Sequence, residues 1–143
     1  GGEPLAQPNC ILLLQLLCDE GYQVSLETRG ALSVEKVDPR VSIVLDLKTP
    51  GSREADRNDL DNLSLISQKD QVKFVICNNQ DYVWAKAKLL EWNLAARAGE
   101  ILFSPSFGEQ NPAELAEWIL EDHLPVRMQM QLHKLLWGEA AGR

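Results

Sequence analysis

Strand-type and helix-type segments take turns along most of this chain, and no other feature narrows the choice of fold as much. Such alternation is the signature of a parallel α/β architecture. The stretch "NCILLLQLLCDEG" predicts a helix, with Asn9 as its N-cap and Gly21 at its C-terminal stop. "YQVSLETRG" predicts a strand, and "VSIVLDLK" is a nearly continuous apolar run of the kind a strand covered on both faces shows. "QVKFVIC" predicts a third strand, and "DYVWAKAKLLEWNLAARAG" one long helix with Trp84, Leu90 and Leu94 in the core. "EILFSPS" predicts a fourth strand, "NPAELAEWILEDH" a helix opened by Asn111 and Pro112, and "PVRMQMQL" a fifth strand. Between the second and third strands, "KTPGSREADRNDLDNLSLISQKD" is polar and reads as an irregular crossover with a short helix near Leu60 to Ile66.

Composition excludes several classes. With 143 residues, 45% hydrophobic and 24% charged, the chain suits one globular domain with a real core. A net charge of −7 and the lack of clustered Lys and Arg argue against direct nucleic-acid binding. The longest apolar run, "CILLLQLLC", is too short to span a membrane and follows no basic segment, so the expected location is cytoplasmic and no membrane partner is expected. Cys10, Cys18 and Cys77 fit no metal-binding spacing and read as buried thiols. The only methionines are Met128 and Met130, so the expectation is that these residues are the C-terminal part of a larger domain.

In parallel α/β folds ligands gather at the carboxyl ends of the strands. There the sequence puts four polar stretches, "GGEP", "ETRG", "DLK" and "FSPSFG", which predicts one shared mouth. The set suits a zwitterion: Glu3 can accept from an ammonium, Lys48 can pair with a carboxylate, and the backbone at Gly2 and Ser104 can take hydroxyls. No Ser/His/Asp or Cys/His arrangement is present, and His123, near a helix end, and His133, near the last strand, read as structural.

These residues resemble a known family. "GGEP" after a strand is a hallmark of radical S-adenosylmethionine enzymes. Six motifs in order, "GGEPL", "GYQVSLETRG", "VLDLKTPGS", "DQVKFV", "LFSPSFG" and "QMQLHKLLWG", are similar to those of the 7-carboxy-7-deazaguanine synthase family of queuosine biosynthesis, a pathway of tRNA modification. The resemblance runs from Gly1 to about Gly138. It implies an incomplete, modified TIM-type barrel of which residues 1–143 form the C-terminal part, with the first strands and the cluster loop missing from this chain. It also implies three cofactors, S-adenosyl-L-methionine, a [4Fe-4S] cluster and Mg2+. In the family a 5'-deoxyadenosyl radical abstracts hydrogen from 6-carboxy-5,6,7,8-tetrahydropterin, whose ring contracts with loss of ammonia, a lyase reaction.

Carried residue by residue, the resemblance implies that Gly2 and Glu3 meet the methionine amino group. Asp46, Leu47 and Lys48 would line the cofactor site, and Ser104, Pro105, Ser106 and Phe107 would approach the adenosine. Glu27 and His133 are the candidates for substrate contact. Further implied partners are an electron donor such as flavodoxin and a second copy in a homodimer. The C-x3-C-x2-C cluster loop and the magnesium ligand are absent, so the 143 residues alone are expected to be inactive. Arg29 stands where the family has a small polar residue, and Glu139 and Arg143 carry no assigned substrate contact. Two alternatives fit less of the chain. A glycyl-radical activase shares "GGEP" but not "QLHK", and a non-catalytic α/β module would lack the three clustered cysteines upstream.

Overall fold

A computed structural model describes residues 2–138. Five strands form one sheet in the order β1-β2-β3-β4-β5, every neighbouring pair parallel: β1 (Ser25–Thr28), β2 (Ser42–Leu47), β3 (Gln71–Ile76), β4 (Glu100–Pro105) and β5 (Arg127–Met128). Helix α1 (Cys10–Asp19) precedes β1, α2 (Asn79–Glu91) and α3 (Leu94–Arg97) join β3 to β4, α4 (Pro112–Glu121) joins β4 to β5, and α5 (Leu132–Trp137) follows β5. The expected α/β class with parallel strands is therefore present. Among the described residues no helix is long and apolar enough to cross a membrane.

Caps account for several boundaries. Gly21, at φ +84°, follows α1; its N–H donates to the Cys18 carbonyl and the N–H of Tyr22 to that of Leu17, a Schellman stop. Asn111 does what its position before Pro112 predicts, accepting from the N–H groups of Ala113 and Glu114. Asn9 sits at the N-cap of α1, but its side chain makes no capping bond.

The apolar core lies between the helices and one face of the sheet. Alternate residues of the strands, among them Ile43, Leu45, Val72, Phe74 and Phe103, are buried there under Leu14, Tyr82, Ala85, Leu94 and Leu115 of the helices. Phe74 packs edge-on against Phe103 and Trp84, with centroids 5.7 and 6.2 Å away. Such pairs add about 0.5–1.5 kcal/mol each beyond area burial.

Four expectations need correction. β2 and β3 are covered on one face only; their burial alternates strictly, because Ser42, Val44, Asp46, Lys73 and Val75 point to the second, polar face. The strand that is buried along both faces is β4. The single helix across 81–99 is two, broken where Asn93 takes φ +49°, and Leu90 is 74% exposed rather than in the core. The last strand shrinks to two residues, and "LHKLLW" folds as α5, since Leu132, Leu135 and Leu136 repeat at helical spacing.

The polar crossover is built from three 3-10 turns, Pro50–Ser52, Ala55–Arg57 and Leu60–Ser64, the last at the expected short helix. Its polar residues tie the strand ends together. Buried Asp70 accepts from the N–H of Ile43 and Ser67, the Ser67 hydroxyl and the Lys69 ammonium. Burial alone would raise its pKa, yet these donors together hold it below the ordinary carboxylate value.

Candidate functional site

At the carboxyl ends of β1 to β4 the polar face of the sheet opens into a cavity of about 590 Å³, a size suited to a small ligand. Glu27, Asp46, Lys48, Lys73, Ser104 and Ser106 line it from the strands, and Gln129, Gln131 and His133 close it from the C-terminal segment. A second cavity of about 480 Å³ adjoins it, sharing Glu27, Asp46 and Lys48 and adding Gly2, Thr28 and Arg29. The four polar stretches thus meet around one mouth.

Within this mouth the charges are mostly paired. The Lys48 ammonium lies 2.7 Å from Asp46 Oδ2, and the Lys73 ammonium 2.7 Å from Glu27 Oε1. Register puts Asp46 beside Lys73 on neighbouring strands, so the two ion pairs lie side by side on the polar face. Two atoms stand outside this pairing. Asp46 Oδ1 and Ser104 Oγ are buried and have no hydrogen-bond partner. An orphaned buried acceptor costs about 1–3 kcal/mol, which a ligand carrying N–H or O–H groups would recover.

Glu3 departs from the expectation of a free acceptor. Its carboxylate receives the Thr28 hydroxyl at 2.8 Å, the N–H of Leu5 at 3.1 Å and that of Arg29 at 2.8 Å. The side chain therefore docks the Glu3–Leu5 segment onto the end of β1, and the exposed backbone at Gly2 is what faces the second cavity. Arg29 contributes its backbone to this clamp, and the partner of Glu27 is Lys73.

Lys48 is fixed by the crossover. The Asn58 side chain accepts from the Lys48 N–H and donates to its carbonyl, both at 2.9 Å, prolonging β2 as a neighbouring strand would. Sequence reasoning missed Asn58, whose pairing across ten residues has no local signal. It also missed Asp81, whose buried carboxylate accepts from the N–H of Gly51 and of Cys77 and so locks the ends of β2 and β3 together. A Cβ on Gly51 would meet that carboxylate at 2.5 Å, so glycine is required by close approach.

At the end of β4 the Ser106 hydroxyl donates to the Glu109 carboxylate. Cys77 lies beside this pair; burial, reinforced by the neighbouring Glu109 carboxylate, pushes its thiol up to about 11. It is protonated at neutral pH and is not a thiolate ligand or nucleophile there. Phe107 and Pro105 turn away from the main cavity and line a smaller one with Met130 and Leu135. Leu47 lines the main cavity with its neighbours although its side chain is buried in the sheet. His133 lies in α5, just past the last strand as expected, and His123 holds φ +50° just after α4. Glu139 and Arg143 lie outside the described residues.

Cys10, Cys18 and Cys77 are free thiols; Cys18 alone is fully buried, Cys10 and Cys77 being half-buried. Among the described residues no three His, Cys, Asp or Glu side chains are grouped to hold a metal ion.

No family model matches the chain. It is 42% identical over 99% of its length to the 7-carboxy-7-deazaguanine synthase of Chlorobaculum tepidum, and 33% identical over 96% to that of Koribacter versatilis. The protein of the same name from Clostridium acetobutylicum is 32% identical over 96% of the chain.

The chain belongs to the 7-carboxy-7-deazaguanine synthase family. It spans 65%, 66% and 64% of the lengths of these three family members, respectively. The similarity covers 99% of the chain for the Chlorobaculum tepidum protein and is not confined to the short motifs at the strand ends.

Proposed function

We infer that these residues form the ligand-binding part of a radical S-adenosylmethionine enzyme that converts 6-carboxy-5,6,7,8-tetrahydropterin to 7-carboxy-7-deazaguanine, with loss of ammonia. The observation that carries this reading is the polar mouth itself: Asp46 Oδ1 and Ser104 Oγ wait, buried and unpartnered, at the strand ends of a chain from this family. Those atoms and the cavity volume fit a cofactor rich in amino and hydroxyl groups. Bound there, S-adenosyl-L-methionine would supply the hydrogen-abstracting radical.

The chain's own residues would hold it as follows. The backbone of Gly2 and Glu3, pinned to β1 by the Glu3 carboxylate, takes the methionine amino group. Lys48, held by Asn58 and balanced by Asp46, takes the carboxylate, and Ser104 and Ser106 take the adenosine, with Pro105 and Phe107 shaping that end. Glu27, Lys73 and His133 border the space left for the pterin, whose carboxylate suits Lys73 and whose ring N–H groups suit Glu27. The described residues do not fit a [4Fe-4S] cluster or a magnesium site, so we assign those ligands to other parts of the protein, in a modified TIM-type barrel that the five strands continue. Flavodoxin-like reduction, a homodimer and a cytoplasmic setting complete the proposal.

The test is anaerobic reconstitution of the full-length protein with iron and sulfide, followed by incubation with S-adenosyl-L-methionine, reductant and the carboxytetrahydropterin. A brown cluster and 7-carboxy-7-deazaguanine by mass spectrometry are expected. Absence of both would sink the reading.

A further inference from the structure

A fourth cavity, of about 580 Å³, lies outside this mouth, between the crossover and α2. Trp84 and Trp92 form one wall, their rings edge-to-face with centroids 5.8 Å apart. The Lys88 ammonium is held over both, 5.9 and 5.1 Å from the ring centres. Its ion-pair partner Glu91 is itself exposed, and such an i,i+3 surface pair is weak enough to share the ammonium with a second anion. Across the cavity Arg53 holds φ +59°, a backbone conformation costly for a residue with a Cβ. Its guanidinium is exposed and has no hydrogen-bond or ion-pair partner among the described residues. Asp56, at the rim, adds an acceptor for ring N–H groups.

From this combination we propose that the outer cavity is a binding site for a flat heteroaromatic anion of the guanine-nucleotide type. The indoles supply apolar and stacking surface, Lys88 and Arg53 take the anionic group, and Asp56 accepts from the ring edge. Neither part of such a ligand suffices alone, since Arg53 is solvent-exposed, Lys88 already shares its ammonium with Glu91, and the aromatic wall is small. The site shares Asn58 as a wall residue with the clamp on Lys48, so an occupant would sit directly behind the inner mouth. The proposal does not depend on what the inner mouth binds.

Calorimetric titration of the full-length protein with guanosine monophosphate tests it, with guanosine and inorganic phosphate as the ring-only and anion-only probes. Expected is saturable binding of the nucleotide, at least about tenfold tighter than either fragment. Arg53→Ala with Lys88→Ala weakens it at least about tenfold while thermal melting is unchanged, and Lys73→Ala in the inner mouth changes it by less than about twofold. The proposal is overturned by any of three results. These are no binding at millimolar nucleotide, equal binding of a fragment probe, or loss that follows Lys73→Ala rather than the outer pair.

Discussion

On the helix side of the sheet, Ile43, Leu45 and Leu47 of β2 and Val72, Phe74 and Ile76 of β3 are buried against α1, α2 and the aromatic cluster. On the other side, at the intervening positions of the same strands, stand Val44, Asp46, Lys73 and Val75, with Lys48 and Cys77 just beyond the strand ends. One residue of register separates a face that supplies stability from a face that holds charge and an unsatisfied carboxylate oxygen. The lesson is that the two properties are separable by substitution, because the apolar face has no polar atom to lose and the polar face has little buried apolar area to lose.

The largest break in that contrast comes from the apolar face. Phe74→Ala removes a fully buried ring and two aromatic neighbours, and is expected to cost about 3–5 kcal/mol in urea unfolding. Next is the seam where the two faces are joined. Gly51→Ala drives a Cβ against the Asp81 carboxylate, with an expected loss of about 1–3 kcal/mol. It also weakens ligand binding, because Asp81 positions Cys77 and the Gly51 turn beside the mouth, which calorimetry on the same variant reads.

A smaller effect sharpens the contrast through pH. Asp70 has a folded pKa below its unfolded value, so its contribution to stability is present above roughly pH 4 and is lost as the pH falls below that. Asp70→Asn is expected to cost about 1–2 kcal/mol at pH 7 and to flatten the acid limb of the stability profile, measured by thermal melts between pH 3 and pH 7. A profile unchanged by the substitution would show that another carboxylate carries the acid transition.

Much of this was readable from the sequence. Three of the five strands, β2, β3 and β4, announce themselves as short runs rich in Val, Ile, Leu and Phe, β1 by the alternation through Val24 and Leu26, and the motifs at their ends meet where strand-end geometry requires. The two-face alternation was present in "VSIVLDLK" and "QVKFVIC", but Val44 and Val75 make the polar face look apolar in one dimension. The break at Asn93 and the exposure of Leu90 were hidden, since nothing local contradicts one continuous helix and tertiary packing decides the turn. "QLHKLLWG" carried a helical period too short to outweigh the preceding strand-like run. The clamps made by Glu3, Asn58 and Asp81 join residues 10 to 30 positions apart, and single-sequence patterns do not encode such pairings.

The central claim, that the polar face serves the proposed function and not folding, is tested most directly by Asp46→Asn in the full-length reconstituted protein, with product formation and melting temperature measured on the same sample. The account predicts that deazaguanine formation falls at least about a hundredfold while the melting temperature stays within about 4 °C of the parent. Activity within about twofold of the parent, or a melting-temperature loss as large as that of Phe74→Ala, would contradict it.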